Sequence, residues 1–160
     1  MFMRNLILSL DERFAVLHRN SHEFIKIVPS ESIYQKPAAT QSTEPVYSCG
    51  EYLLRSAGAV EQTCNGITVK LWDDPFEWTL PENLSTNEKI LEYLSEVEYA
   101  RVRAFALLLS DNDLQWEIPA PEKLKTIFVL LLETLTRAAH YQGRAFALFR
   151  LSSAGKLPRV

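Results

Sequence analysis

Four stretches of this chain repeat apolar residues at alternating steps of three and four. The first carries Ile7, Leu10, Phe14, Leu17, Phe24 and Val28; the second Leu53, Ala57, Val60, Cys64, Ile67 and Leu71. The third carries Ile90, Leu94, Val97, Ala104 and Leu108; the fourth Leu124, Phe128, Leu131, Leu135, Ala138, Ala145 and Phe149. That spacing puts each set on one side of an α-helix. A helix with one apolar stripe must bury it on neighbours, so four such helices fold into a bundle. Three positions break the period: Ser21 in the first stretch, Arg101 in the third and Gln142 in the fourth.

Boundary signals agree with four helices. Pro29 stops the first. Ser48-Cys-Gly-Glu51 reads as a capping box opening the second, and Asp73-Asp74-Pro75 ends it. Ser85 or Thr86, followed by Glu88, opens the third, and Pro119 and Pro121 bracket the start of the fourth, where proline is tolerated. The connections are long. Residues 29–47 are polar, and a stretch of that length can reach over ~60 Å when extended. A helix of about 24 residues is only roughly 36 Å long. The sequence therefore predicts that the first two helices run parallel, joined by an overhand loop. Residues 73–85 carry Phe76, Trp78, Leu80 and Pro81, which predicts a connection packed on the bundle. Residues 110–121 hold a short extended piece at Leu114–Ile118. No repeat or low-complexity tract divides the chain, so residues 1–160 read as a single domain.

Composition narrows the function classes. A chain of 160 residues, 47% hydrophobic and 23% charged, can bury a core without disulfides or metal. A net charge of −3 with scattered cations argues against nucleic acid as a partner. The longest apolar runs, 104–109 and 127–132, fall far short of the roughly 20 residues that span a membrane. Asp11, Glu12 and Arg13 follow the mildly apolar start, and no small-residue cleavage site appears, against a signal peptide. Cys49 and Cys64 sit on one helix about 22 Å apart and cannot pair with each other. Reduced thiols and a cytoplasmic location are expected.

Few residues offer chemistry. His18 and His22 share a helix face, and with His140 they form a candidate three-histidine site for a divalent metal; the plainer reading is semi-exposed residues flanking an apolar stripe. His140 alone has the ordinary pKa range of a general acid or base, without a carboxylate partner identifiable from spacing. Arg137, Tyr141 and Arg144 fall close to one face and have the chemistry to bind an anion or a carboxylate. Ion pairs from these residues to Glu98 or Glu61 on neighbouring helices are the favoured expectation. Cys49 lies in the first turn of the second helix, where a thiol can be activated, though a small buried residue is commoner there; Cys64 lies on the apolar stripe. Gly50, Gly58 and Gly66 do not form a phosphate loop, and no Walker motif, nucleophile elbow or Cys-x-x-Cys occurs. Gly143, inside a helix, points to close helix packing or to room in a pocket.

The order of a long helix, a long loop, Ser48-x-Gly-Glu-x-Leu-Leu, a third helix closing on Leu109-Ser-Asp-x-Asp-Leu114 and a fourth ending in Tyr141-Gln-Gly-Arg resembles the DinB-like (YfiT-like) four-helix-bundle family. The resemblance covers nearly the whole chain. It implies a bundle whose typical members bind zinc or nickel through three histidines, one on the second helix and two, four residues apart, on the fourth. Some relatives are thiol-dependent S-transferases or isomerases. The family is named for DNA-damage-inducible genes, which describes induction rather than an activity. At the matching fourth-helix positions this chain has Arg137 and Tyr141, and near the second-helix position Arg55 or Ser56. No histidine occurs between Glu23 and Ala139, and His140 is one residue out of register, about 100° around the helix. Arginine cannot ligate a metal in its charged form.

The resulting expectation is an all-α, DinB/YfiT-like four-helix bundle with long connecting loops and a degenerate metal site. It would have no cofactor and would bind a small molecule or a partner in a remnant pocket of Arg55, Ser56, Arg137, His140 and Tyr141. The alternatives are an active hydrolase or thiol S-transferase with zinc or nickel at a shifted site involving His18, His22 and His140, and a structural module acting as a homodimer.

Overall fold

The computed structural model describes residues 3–38, 43–153 and 155–159. Four α-helices dominate: α1 (Asn5–Ile27), α2 (Cys49–Val69), α3 (Asn87–Ala106) and α4 (Ile127–Ser152). Between α3 and α4 lies a small antiparallel hairpin of β1 (Glu117–Pro119) and β2 (Leu124–Thr126), with Ile118 opposite Lys125. Single 3-10 turns occur at Pro75–Glu77 and Asp111–Gln115.

The helix starts follow from side-chain caps. Ser48 Oγ accepts the Glu51 N–H while the Glu51 carboxylate accepts the Ser48 N–H at 2.8 Å, so the predicted capping box opens α2. Thr86 caps α3 and Thr126 caps α4 one way only, their hydroxyls accepting the Lys89 and Val129 N–H groups. Helix α4 begins later than Pro119 and Pro121 suggest. The prolines sit in and just after β1, Leu124 is exposed on β2, and the helix starts only after Thr126. Helix α2 ends at Val69 on Lys70, the one described non-glycine residue with positive φ (58°), and Leu71 lies outside the helix and exposed.

The first two helices are antiparallel, not parallel. Gly50 N–H donates to the Ile33 carbonyl at 2.8 Å, so α2 starts at the end where α1 finishes. Asn87, at the start of α3, donates to the Ile25 and Val28 carbonyls, so α3 starts at that same end. Helices α2 and α3 are therefore parallel, and the overhand connection is the second one. Its strap descends along α2. Trp72 O accepts from Gln62, Pro75 packs on Gly58, Phe76 lies over Arg55, and Leu84 O accepts the Tyr34 hydroxyl at 2.6 Å. Helix α4 runs antiparallel to α2, bonded at Ser56 Oγ–Ala138 O (2.7 Å) and Thr63 Oγ1–Thr134 Oγ1 (2.6 Å).

The core is the union of the four stripes, with Ile7, Phe24, Leu53, Ile90, Leu94 and Leu131 almost wholly buried. The three breaks in the period are buried too, and each is satisfied. Gln142 Nε2 donates to Ser21 Oγ and to the Leu17 carbonyl, both at 2.8 Å, so two of the breaks meet across α1 and α4. Arg101 reaches from α3 to Asp11 on α1 and back to Glu98. Polar groups so placed must be paired, because an unsatisfied one costs about 1–3 kcal/mol. No helix among the described residues is long and apolar enough to cross a membrane.

Candidate functional site

The second connection and the α2–α4 pair enclose a cleft of about 220 Å³. Helix α2 contributes Leu54, Arg55, Gly58, Ala59 and Gln62; α4 contributes Arg137 and Tyr141; the strap adds Asp74, Pro75, Phe76 and Thr79. The antiparallel register set by the Ser56–Ala138 bond brings Arg55 and Arg137 to one opening.

Arg55 is held by aromatic rings from both long connections. Its guanidinium carbon lies 3.9 Å from the Tyr47 ring centre and 4.7 Å from that of Phe76. Contacts of this kind are worth about 0.5–1 kcal/mol each and fix the orientation of the head group. Its Nε is buried and has no hydrogen-bond partner. Tyr141 stacks on Tyr52 (6.3 Å between centres, 30° between planes), Tyr52 meets Tyr47 edge-on at 5.5 Å, and Arg144 lies 5.7 Å from Tyr52. Asp74 Oδ1 accepts the Phe76 N–H at 3.0 Å, which shapes the turn of the strap. Among the described residues, Arg55, Arg137, Arg144 and Asp74 form no ion pair.

The favoured ion pairs to Glu98 and Glu61 are thus absent, for a plain reason. Glu98 faces the α1–α3 side, bonded to Arg101 at 2.6 Å and near His18 Nδ1 at 3.8 Å. Glu61 accepts the Tyr93 hydroxyl at 2.5 Å, and burial raises its carboxyl above the usual range despite that bond.

Two other expected site residues stand apart from the cleft. Ser56 is turned into the core and spends its hydroxyl on Ala138 O. His140, one step around α4 from Tyr141, is exposed and does not line the cleft. The three-histidine set does not assemble either. His18 faces Glu98 and its ring centre is 6.0 Å from that of His22, but the described residues contain no group of three histidines, cysteines or carboxylates able to hold a metal ion. The cleft's donor set does not fit a divalent cation, which would meet two guanidinium ions and a single carboxylate there. Cys49 is buried, its Sγ donates to the Ile33 carbonyl, and burial pushes its thiol above its ordinary range, so the helix start does not activate it. Cys64 is pushed up to about 12 by burial.

The strap residues Asp74, Pro75, Phe76 and Thr79 were not foreseen as part of a site. Their sequence signals were the helix stop at Asp73-Asp74-Pro75 and the apolar content of the connection.

A bundle of two parallel helix pairs, with an overhand strap and a cationic cleft beside it, defines a class of architecture rather than an activity. No protein-family model matches the sequence, and no curated protein matches it. Solved structures do match. A DinB-like protein from Bacillus cereus ATCC 10987 superposes with a TM-score of 0.73 over 94% of this chain and 95% of that one, at 16% identity. A DinB-like protein (YjoA) from Bacillus subtilis gives 0.66 over 94% and 96%, at 20% identity. The chain has the DinB-like fold.

Proposed function

We propose that this is a metal-free DinB-fold protein that binds a small anionic molecule in the cleft between α2, α4 and the strap. The observation that carries the reading is the pair of guanidinium groups, Arg55 and Arg137, on one cleft with no ion-pair partner among the described residues, one of them with a buried Nε that has no acceptor. A guanidinium fork recognises a carboxylate or a phosphate by two parallel bonds. Tyr141 adds a hydroxyl to the lining. The DinB-like resemblance puts the metal histidines at Arg137 and Tyr141 and near Arg55 or Ser56, so an anion site here would stand where relatives hold a cation.

Calorimetric titration with acetate, butanoate, glutarate and inorganic phosphate tests the reading. Binding of at least one anion is expected, weakened about 10- to 100-fold by Arg137→Ala, since truncating one partner of a paired charge costs about 2–5 kcal/mol at the buried limit and less at a partly open site. An anion affinity indifferent to both Arg137→Ala and Arg55→Met would sink it. So would stoichiometric zinc or nickel in protein purified without chelators, lost on His140→Ala.

A further inference from the structure

The cleft also carries acceptors, and they are kept away from the arginines. Arg55, Gly58, Ala59 and Gln62 follow one face of α2 at steps of three, four and seven, so Arg55 and Gln62 are about 10 Å apart along the helix axis. Between them Pro75 packs on Gly58, with Ala59 beside it on the same face. Gln62 Nε2 donates to the Trp72 carbonyl at 3.2 Å, which leaves its Oε1 as an acceptor at that end. The strap descends beside this face with Trp72 at Gln62, Pro75 against Gly58 and Phe76 over Arg55. Asp74 therefore enters the cleft on the Gln62 side of Gly58. Its carboxylate lies beyond ion-pair distance from both guanidinium groups, although all three line one cleft.

We infer that the ligand is a zwitterion of amino-acid size, its carboxylate on Arg55 and Arg137 and its ammonium group on Asp74 and Gln62 Oε1. The inference rests on the anion-binding reading of the same cleft. A simple anion would satisfy the arginines and leave Asp74 and Gln62 Oε1 unmatched. A zwitterion satisfies both ends. A charge-separated site also favours molecules that carry both charges over those that carry one.

Titration with matched probes separates the two readings. Use 4-aminobutanoate and 6-aminohexanoate, their N-acetyl derivatives, and butanoate and hexanoate. At least one amino acid is expected to bind about tenfold or more tightly than its N-acetyl form and its unsubstituted acid, one tenfold step being a single paired charge in a partly open site. Asp74→Asn keeps the oxygen that accepts the Phe76 N–H and removes only the charge, so it should erase that preference while leaving hexanoate affinity equal or higher. Equal binding of all three forms, or binding of phosphate alone, overturns the zwitterion and leaves the anion site standing. Failure of every carboxylate and of phosphate overturns both.

Discussion

His18 sits half-buried between α1 and α3, close to a network that also holds Arg101, Glu98 and Asp11. Burial is the largest influence on its imidazole; together with the charges of His22, Arg101 and Arg19 it outweighs the pull of Glu98, so the His18 pKa lies below its ordinary 6.5. Burial acts the other way on the Glu98 carboxyl, raising it, but the Arg101 bond and the His18 charge outweigh that and hold it below the ordinary 4.5. Both groups then make the unfolded chain the better proton binder as pH falls. The His18 contribution to stability is complete above 6.5 and is lost as pH drops through its lower folded value; that of Glu98 is lost further into acid. His18→Asn should flatten the fall in urea midpoint between pH 7 and pH 5, and an unchanged slope would show that another group sets it. Two glycines give opposite signs at the same scale. A Cβ on Gly66 would lie 2.4 Å from the Trp72 indole, whose Nε1 donates to Pro119 O and latches the strap to the hairpin. Gly66→Ala should therefore destabilise by about 1–3 kcal/mol through overpacking. Gly143 is exposed with nothing within 4 Å, so close packing inside this chain is not its reason, and Gly143→Ala should stabilise by about 0.5–1 kcal/mol. Thermal or chemical denaturation of both variants checks the contrast.

At the scale of elements, the turn Leu109-Ser-Asp-x-Asp-Leu114 has a physical explanation. Helix α1 has no cap of its own, because Arg4 stands at its N-cap without a side-chain bond. Asp111 supplies one from the far end of α3, accepting the Leu6 and Ile7 N–H groups at 3.1 and 3.0 Å, while its own N–H donates to Met3 O. Asp113 folds the turn that presents it, accepting the Leu109 and Ser110 N–H groups. Asp111→Ala should cost about 1–2 kcal/mol, as for a lost helix cap, and Asp111→Asn should recover most of that because it retains an acceptor. Urea denaturation of the two variants decides it; equal losses would mean charge rather than capping matters. The helices themselves were legible because the apolar period, the Ser48 capping box and the Thr86 cap agree, while the Thr126 cap of α4 went unread behind the two prolines. Of the hairpin, only an extended piece was legible: the expected stretch Leu114–Ile118 overlaps β1 at Glu117 and Ile118, while its start lies in the 3-10 turn Asp111–Gln115. Strands of three residues are too short to show a period of two, and Pro119 and Pro121 carry the same signal at a helix start as in an edge strand.

At the scale of the molecule, legibility divides between face and partner. Period and capping in the sequence determined four helices, one buried stripe on each and the face of α4 on which Arg137 and Tyr141 lie. They do so because helical spacing and local hydrogen bonds act within a turn or two. Which connection crosses the bundle was not determined there. A long loop is long enough to cross but need not, and residues 29–47 return to the same end while residues 70–86 make the crossing. The reading of Ser21, Arg101 and Gln142 as exceptions follows from the same limit. Each is a flaw in its own helix, yet Gln142 meets Ser21 and Arg101 meets Asp11 only once α1 has been packed against α4 and α3. The cleft is the clearest case. Its arginines and tyrosine come from helical register, but its depth, its acceptors and the rings that hold Arg55 come from the strap and from Tyr47. Tertiary structure alone decided these, because contacts between distant segments depend on helix direction and docking, which no local spacing encodes.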